Sequence, residues 1–350
     1  MIQKISQHIS QSETINLTET LTFLTSTTIC RVAFGKRYEP GSGESREFNQ
    51  IIREFQTALS VFYFTDYFPW LGWVDKLTGK IDHLENICKK WDRFYQQLID
   101  EHLLPDRPKS MYGDVVDILL QLREEKSVSF DLPLDHIKAV LVDVYFASTD
   151  TIATTMIWAM TVLIKNPSAM KKAQVELRAS LGKKQMVEEK DLAIARPPYL
   201  DAVIKEAIRL YSTLPLLVPR ETIQKCTIDG FEIPEKTLVH VNAWAISKDP
   251  EQWENPNEFL PERFLEGGKC SSRDLKGQDY RFIPFGAGRR ICPGMTMAMA
   301  TVETVLANLL YLFDWELPAG VKKEDVDNDI SPGMTLHKKN PLYLVAKKAM

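Results

Sequence analysis

One cysteine near the end of the chain lies in a segment that constrains the fold more than any other. Residues 285–294 have the sequence Phe-Gly-Ala-Gly-Arg-Arg-Ile-Cys-Pro-Gly. Pro293 suits the first position of a helix, where its missing N–H costs nothing. The apolar run at residues 295–313 predicts that helix. Cys292 is therefore expected at a helix N-terminus, where the dipole and the free N–H groups favour a thiolate.

The glycines around Cys292 leave the backbone bare. Gly288 permits a tight turn, while Gly286 and Gly294 let a flat ligand approach the chain closely. A single stabilised thiolate beside such a surface suits an axial ligand to haem iron. The alternative is a structural cysteine buried in a turn, which is a common role for an unpaired cysteine.

These residues resemble the haem-binding loop of the cytochrome P450 family, in which a Phe, a Gly, an Arg, a Cys and a second Gly have fixed spacing. The matching residues are Phe285, Gly288, Arg290, Cys292 and Gly294. The resemblance implies that Cys292 is the axial ligand of haem b (iron protoporphyrin IX), next to Phe285 and Gly286. It also implies that Arg290 binds a haem propionate together with Arg220, which lies in a Pro-Arg-Glu step.

Composition excludes several other classes of protein. The chain has 350 residues, 44% of them hydrophobic, and a net charge of −4. This length supports a large core, and the balanced charge argues against a nucleic-acid partner. The five cysteines are scattered without Cys-x-x-Cys spacing, which disfavours a zinc ribbon and makes a reducing compartment the default.

Hydropathy predicts neither a signal peptide nor a membrane span in this chain. The first twenty residues are polar. The longest apolar stretches, at residues 137–164 and 295–313, are interrupted by Asp143, Asp150 and Glu303.

Helical periodicity dominates the rest of the sequence. It predicts helices at residues 17–34, 48–62, 81–103, 135–165, 167–181, 199–211 and 295–313. A hairpin is expected at residues 227–233, turning on Asp229-Gly230, followed by a strand at residues 237–241. With short strands near the C-terminus, the predicted fold class is mainly α with small β-sheets.

Aromatic side chains are concentrated at residues 61–74, where Pro69 and Gly72 act as breakers. One interpretation is a loop that fills the core. The other is a lid over a pocket, or a surface that dips into a membrane.

An acid and an alcohol, Asp150 and Thr151, lie inside the long apolar helix predicted at residues 135–165. By itself this pair fits a solvated acid beside a core threonine. The segment resembles the oxygen-activation helix of the family, which implies that Thr151 hydrogen-bonds dioxygen and Asp150 relays protons. Two positions depart from the family pattern: Ser148 replaces a glycine and Ile152 replaces a hydroxyl residue.

Glu206 and Arg209 are three positions apart and share a helix face, as an ordinary surface ion pair would. They also match the Glu-x-x-Arg motif of the family. The resemblance implies a desolvated structural triad with Arg263, from Pro-Glu-Arg-Phe, under the haem.

The resemblance also implies which residues contact the substrate. They are mostly apolar, so a hydrophobic substrate is expected. The candidate pocket residues are Val144, Ala147, Leu216, Leu217, Val218 and Met334.

The resemblance extends over nearly the whole chain and is greatest to plant microsomal, A-type cytochrome P450 enzymes. It implies a cytochrome P450 fold over residues 1–350 as a single haem-thiolate monooxygenase domain, without the N-terminal anchor and first helices. The implied partners are dioxygen, a hydrophobic small molecule of plant secondary metabolism and NADPH–cytochrome P450 reductase, at the cytosolic face of the endoplasmic reticulum membrane. The alternatives are a truncated, non-catalytic protein with weak or no haem binding, and a haem-thiolate isomerase or dehydratase, against which Asp150 and Thr151 argue.

Overall fold

Helices form most of the part of the chain that the structure describes. The structure is a computed structural model and describes residues 1–11, 13–37, 50–52, 54–55, 57–58, 61–107, 113–127, 129–331 and 333–349. The α-helices are Ile2–Gln11, Leu17–Phe34, Phe64–Tyr67, Gly72–Leu77, Lys80–His102, Val115–Glu124, Leu134–Lys165, Pro167–Leu181, Glu189–Ala195, Pro198–Leu210, Ala243–Ile246 and Met295–Leu312. Short 3₁₀ turns are Pro69–Leu71, Pro261–Phe264 and Gly288–Arg290.

The strands are short and pair antiparallel. Tyr343–Lys348 is the central strand of a three-stranded sheet, between Ile15–Asn16 and Phe313–Glu316. The other ladders have two strands each: Arg220–Glu221 with Leu238–Val239, Cys226–Ile228 with Phe231–Ile233, and Ile330–Ser331 with His337–Lys338. The predicted fold class, mainly α with small β-sheets, is confirmed.

Most predicted elements agree with the observed ones within a few residues. The hairpin turns on Asp229 and Gly230, whose φ angles are +49° and +83°, as a two-residue turn of this kind requires. The helix predicted at residues 48–62 lies partly outside the described residues. Within it, residues 50–52, 54–55 and 57–58 are helical.

The chain forms two compact units. The smaller one comprises residues 23–150, and the larger one comprises residues 1–22 and 151–350. Both boundaries fall inside helices, Leu17–Phe34 and Leu134–Lys165. The single-domain organisation stays a prediction.

Aromatic rings build the core of the smaller unit. Phe34 stacks on Tyr145, with ring centroids 5.7 Å apart, and meets Tyr95 edge-on at 5.8 Å. Tyr95 in turn stacks on Trp91 at 5.3 Å. Offset and edge-on pairs of this kind stabilise a core beyond their buried area.

The aromatic segment at residues 61–74 is mostly at the surface, although its Tyr63 is buried. Trp70 is 71% exposed and Trp73 is 60% exposed. The fully buried Asp75 holds the segment by accepting hydrogen bonds from the backbone N–H and the hydroxyl of Thr65, at 2.8 and 2.9 Å. The core-filling interpretation is therefore wrong for these two tryptophans, which lie at the surface.

Three helices pack together in the larger unit. Pro167–Leu181 packs against both Pro198–Leu210 and Met295–Leu312. Arg178 ties the first helix to the end of the third, because its guanidinium donates to the carbonyls of Leu310 and Phe313 and to Asp314. A cation at a helix C-terminus also complements the helix dipole.

Among the residues that the structure describes, two helices are long and apolar enough to cross a membrane, judged by length and composition only: Leu134–Lys165 and Met295–Leu312. The first is 67% buried inside the protein over its most apolar window, and the second 44%. Core helices of soluble proteins pass the same test, so the finding does not establish a span.

Candidate functional site

The loop at residues 285–294, called the cysteine loop below, is closed by its own backbone. The N–H of Cys292 donates to the carbonyl of Phe285 at 2.9 Å. Between them, the turn Gly288–Arg290 ends where the N–H of Ile291 donates to the carbonyl of Gly288 at 3.1 Å. Cys292 is thereby held at a fixed place in the loop.

The helix that follows begins later than the sequence predicted. Its first residue is Met295 and its N-cap is Gly294. Pro293 therefore precedes the helix and does not occupy its first position, because Gly294 makes the turn into it with φ −87°. Cys292 lies just in front of this N-terminus, as expected.

The surface around the thiol is bare backbone. Cys292 is unpaired and partly exposed. A Cβ placed on Gly294 would have only the sulfur of Cys292 nearby, at 3.9 Å, and a Cβ on Gly288 would meet no atom within 4 Å. A soft sulfur donor beside an open face of backbone fits a flat, iron-containing ligand.

Arg220 lies beside Arg290 of the cysteine loop. Arg220 donates from Nη2 to the carbonyl of Arg290 at 3.4 Å, which places the two residues side by side. A Cβ on Gly286 would lie 4.0 Å from the same Nη2 and 3.9 Å from Leu217 Cδ1. The loop, Leu217 and the Arg220 guanidinium thus form one surface, and a guanidinium at its edge fits a carboxylate of a haem.

Glu206 lies at the centre of a buried ionic cluster. It accepts two hydrogen bonds of 2.8 Å from Arg209 and one of 3.1 Å from Arg263. The side chains of Glu206 and Arg209 are 0% exposed, and that of Arg263 is 7% exposed. The structure brings the three residues together and shows that the pair is not the surface pair that its spacing alone suggests.

The cluster also fixes the irregular segment that leads to the cysteine loop. Arg209 donates from Nη1 to the carbonyls of Ser247 and Pro256, at 2.8 and 2.7 Å. Arg263 donates to the carbonyl of Glu254 at 2.9 Å. These charge-assisted bonds compensate for the loss of solvent around the ions.

The acid–alcohol pair divides between the two units, with Asp150 in the smaller and Thr151 in the larger. Both are half-buried within the helix Leu134–Lys165. Ser148 lies two residues before Asp150. Its hydroxyl turns back onto the helix and donates to the carbonyl of Val144 at 2.6 Å. Of the pocket candidates in the smaller unit, Ala147 is exposed and Val144 is half-buried.

The remaining pocket candidates belong to the larger unit and leave apolar surface open. Leu216 is 45% exposed, Val218 56% and Met334 39%. Leu217 between the first two has φ +51°, an uncommon conformation for a branched residue. Such strained positions occur often at binding sites.

Sequence reasoning missed the residues that hold these candidates in place. Trp158 stacks on Tyr211, with ring centroids 4.0 Å apart, and donates from Nε1 to the carbonyl of Leu336 at 2.7 Å. Thr155 and Thr213 are hydrogen-bonded at 3.1 Å. The second half of the long helix, the segment after Pro198–Leu210 and the late turn are therefore adjacent. No sequence signal separates Trp158 from an ordinary core residue.

Comparison with known proteins agrees with this geometry. The cytochrome P450 family profile matches residues 1–345. The chain is 47% identical to "Cytochrome P450 71A1" of Persea americana, over 99% of this chain and 69% of that protein. It is 46% identical to "5-OH-xanthotoxin synthase" of Pastinaca sativa, over 99% and 68% of the two chains, and 45% identical to "6,7,8-trihydroxycoumarin synthase" of the same plant, over 100% and 68%. It thus spans about two thirds of the length of these relatives.

Solved structures support the same fold. A zebra fish cytochrome P450 with progesterone superposes with a TM-score of 0.80 at 24% identity, over 99% of this chain and 74% of that one. A second zebra fish structure, with abiraterone, gives 0.78 at 23% identity, over 99% and 75%. On the family match and the identity to plant relatives, this chain belongs to the cytochrome P450 family of haem monooxygenases, among its plant A-type members.

Proposed function

We propose that this chain is a haem-thiolate monooxygenase of plant secondary metabolism, in which the Cys292 sulfur would hold the haem iron. The observation that carries the proposal is the partly exposed Cys292 thiol, set in bare glycine backbone beside Arg220 and Arg290. When bound there, haem supplies the activation of dioxygen. One oxygen atom enters the substrate and the other leaves as water, with two electrons and two protons consumed.

Each of the chain's own residues has a distinct part in this proposal. Cys292 contributes an anionic sulfur donor, and the glycines beside it leave room for the flat macrocycle. Arg220 and Arg290 orient the haem through its propionates. Phe285 limits water near the sulfur, which affects the potential of the iron.

Proton delivery falls to the long helix. Asp150 is half-buried in the long helix, so that it lies between solvent and the protein interior. In the proposal it takes protons from solvent and passes them on, while the Thr151 hydroxyl hydrogen-bonds dioxygen.

A flat, apolar aromatic molecule is the proposed substrate. Leu216, Val218 and Met334 offer apolar surface, which favours hydrophobic ligands. Two plant relatives are named as synthases of 5-OH-xanthotoxin and 6,7,8-trihydroxycoumarin. We therefore favour hydroxylation of a coumarin-type ring.

The electrons are proposed to come from NADPH–cytochrome P450 reductase at the cytosolic face of the endoplasmic reticulum membrane. This placement is what membership of the plant A-type branch of the family implies. The exposed Trp70 and Trp73 are also compatible with a membrane surface, where amphipathic aromatic rings are favoured. Flotation with vesicles, compared between the wild type and Trp70→Ser/Trp73→Ser, tests the contact, and equal flotation contradicts it.

The absorption spectrum of the reduced protein under carbon monoxide tests the assignment of Cys292. A thiolate-ligated haem gives the strongly red-shifted Soret band from which the family takes its name. We expect this band in the wild type and its loss in Cys292→Ser. Its absence from the wild type would favour the alternative of a non-catalytic protein that binds haem weakly or not at all.

A further inference from the structure

Residues 270–282, called the strap below, lie directly against the cysteine loop. The closest approach is at Gly277, whose φ is +71°. A Cβ there would lie 2.6 Å from the carbonyl oxygen of Gly286 and 3.1 Å from the Cα of Ala287. No side chain fits in this gap, so the backbone of the strap is in contact with the backbone of the loop.

A buried guanidinium anchors the strap. The side chain of Arg273 is 6% exposed, and its Cζ lies 4.1 Å from the centre of the Trp253 ring. It donates from Nη2 to the carbonyl of Gln252 at 3.0 Å, and its Nε lies 3.7 Å from Asp279. A desolvated arginine over an indole ring is a strong cation–π contact.

The same tryptophan contacts the Glu206 cluster. The Cζ of Arg209 lies 5.0 Å from the Trp253 ring centre. Trp253 is 1% exposed, donates from Nε1 to the carbonyl of Ile246 at 3.0 Å, and meets Phe282 of the strap edge-on at 5.7 Å. One fixed ring therefore joins the buried ion pair to both ends of the strap.

We propose that Arg273 and Gly277 are positioning residues for Cys292. Arg273 fixes the strap on Trp253, and Gly277 sets the distance between the strap and the cysteine loop. Trp253, on which the strap is fixed, also contacts Arg209 of the Glu206 cluster. The inference rests on the proposed role of Cys292 only where haem ligation is measured.

The primary test measures the alkylation rate of Cys292 by iodoacetamide in the haem-free chain, followed by peptide mass spectrometry. The test variants are Gly277→Ala and Arg273→Met. Gly267→Ala is the matched control, because Gly267 has φ +80° but a Cβ there would meet no atom within 4 Å. It imposes the same backbone strain without pushing the loop.

We expect Gly277→Ala and Arg273→Met to change the Cys292 rate by about threefold or more, since thiol reactivity follows exposure and surroundings. Gly267→Ala should leave it unchanged, and Arg273→Lys should restore much of the wild-type rate because it keeps a cation over the ring. Cys270 is 3% exposed at the start of the strap. Its rate should stay low throughout, which shows that the strap remains folded.

Haem ligation provides the second measurement. In the reduced, carbon monoxide-treated protein, the share of the thiolate Soret band should fall in Gly277→Ala and Arg273→Met and persist in Gly267→Ala. The inference is overturned if Gly277→Ala behaves like Gly267→Ala in both measurements, or if Cys270 reacts in step with Cys292. A wild type without the thiolate band, but with the alkylation differences intact, would contradict the proposed function and leave the positioning role supported.

Discussion

The guanidinium of Arg209 and the carboxylate of Glu206 share two hydrogen bonds of 2.8 Å in a site where neither side chain is exposed. Arg263 adds a third bond of 3.1 Å to the same carboxylate. Removal of Glu206 leaves two guanidinium groups buried without their counterion, which typically costs about 3–5 kcal/mol. Removal of either arginine leaves the carboxylate one partner, but it frees backbone carbonyls of the segment that leads to the cysteine loop. Removal of Arg209 together with Glu206 takes away one of the two stranded charges.

We therefore expect Glu206→Ala, Arg209→Ala and Arg263→Ala each to prevent stable haem incorporation, with Glu206→Ala/Arg209→Ala little worse than either single change. Urea unfolding and haem content measure the effect. The control is Lys172→Ala, which breaks an exposed pair with Glu262 and should cost under about 1 kcal/mol. Additive losses of that small size at the buried cluster would contradict the expectation.

Local sequence patterns predicted the helices and turns whose formation depends on residues close together in the sequence. Helical periodicity identified the helix observed as Leu134–Lys165, and Asp229-Gly230 identified a hairpin turn. The fixed spacing of Glu206 and Arg209 identified a pair. Spacing alone could not show that the pair is buried, because burial depends on Arg263 and on backbone carbonyls that lie 38 and 47 residues after Arg209.

The sequence did not predict which distant segments of the chain contact one another. Trp158 and Tyr211 stack at 4.0 Å, and Arg273 lies over Trp253 at 4.1 Å, yet each of these residues has an unremarkable local sequence. The exposed Trp70 shows the same difficulty, since an aromatic residue in the sequence can lie in the core or at the surface, and its identity does not distinguish the two. Such pairings arise from tertiary packing, which periodicity does not encode.

Cysteine substitutions separate Cys292 from the other four cysteines. We expect Cys292→Ser to abolish the thiolate Soret band, because a serine hydroxyl is far less acidic and donates less charge to iron. Cys88→Ser is the exposed control and Cys270→Ala the buried one. Burial also raises the pKa of Cys30 to about 12, which disfavours its thiolate. Loss of the band in any of these other variants, with the band retained in Cys292→Ser, would show the assignment to be wrong.

The stability of the N-terminus of the helix Val115–Glu124 should depend on pH. Burial by itself would raise the pKa of Asp114, but hydrogen bonds from His102, the backbone of Asp117 and Arg107 outweigh it and lower the pKa to about 2. The pKa of an aspartate in the unfolded chain is about 3.9. The stabilisation is therefore complete above about pH 4 and is lost as the pH falls from there through about 2.

We expect Asp114→Asn to destabilise this helix by about 1–2 kcal/mol at neutral pH and by progressively less as the pH falls below about 4. Amide hydrogen exchange over residues 115–124, corrected for the intrinsic rate, measures the difference from the wild type. Glu124→Gln, at an exposed position of the same helix, serves as the control and should show little effect. A difference that is independent of pH between 6 and 2 would rule out the carboxylate charge as its source.

Thr151 and Asp150 are expected to affect catalysis more than folding. Thr151→Ala should bind haem normally and release more peroxide per NADPH oxidised, because the hydroxyl proposed to hold dioxygen is missing. Asp150→Asn should slow turnover, since an amide cannot relay a proton by ionising. Thr161→Ala is the control further along the same helix, because the Thr161 hydroxyl donates to the carbonyl of Ile157 at 2.7 Å within that helix. If the peroxide released per NADPH oxidised and the turnover rate are unchanged in both variants, the pair has only a structural role.

Ser148 occupies the position where the family usually has glycine, and its hydroxyl donates to the carbonyl of Val144 at 2.6 Å. Two effects are open to this side chain. Its bulk can obstruct dioxygen, or its hydroxyl can replace part of the water network that Ile152 does not support. Because waters rearrange easily while a hydroxymethyl group cannot shrink, we favour a mild obstruction.

We therefore expect Ser148→Gly to raise the product formed per NADPH oxidised, although glycine inside a helix costs up to about 1 kcal/mol of stability. Ser148→Ala keeps the Cβ and removes the hydroxyl, so under obstruction it should give a smaller gain. Thr149→Val is the matched control, because the Thr149 hydroxyl makes the same kind of bond to the carbonyl of Tyr145 at 2.9 Å. If Ser148→Ala and Ser148→Gly lower coupling equally while Thr149→Val does not, the hydroxyl supports the water network and obstruction is excluded.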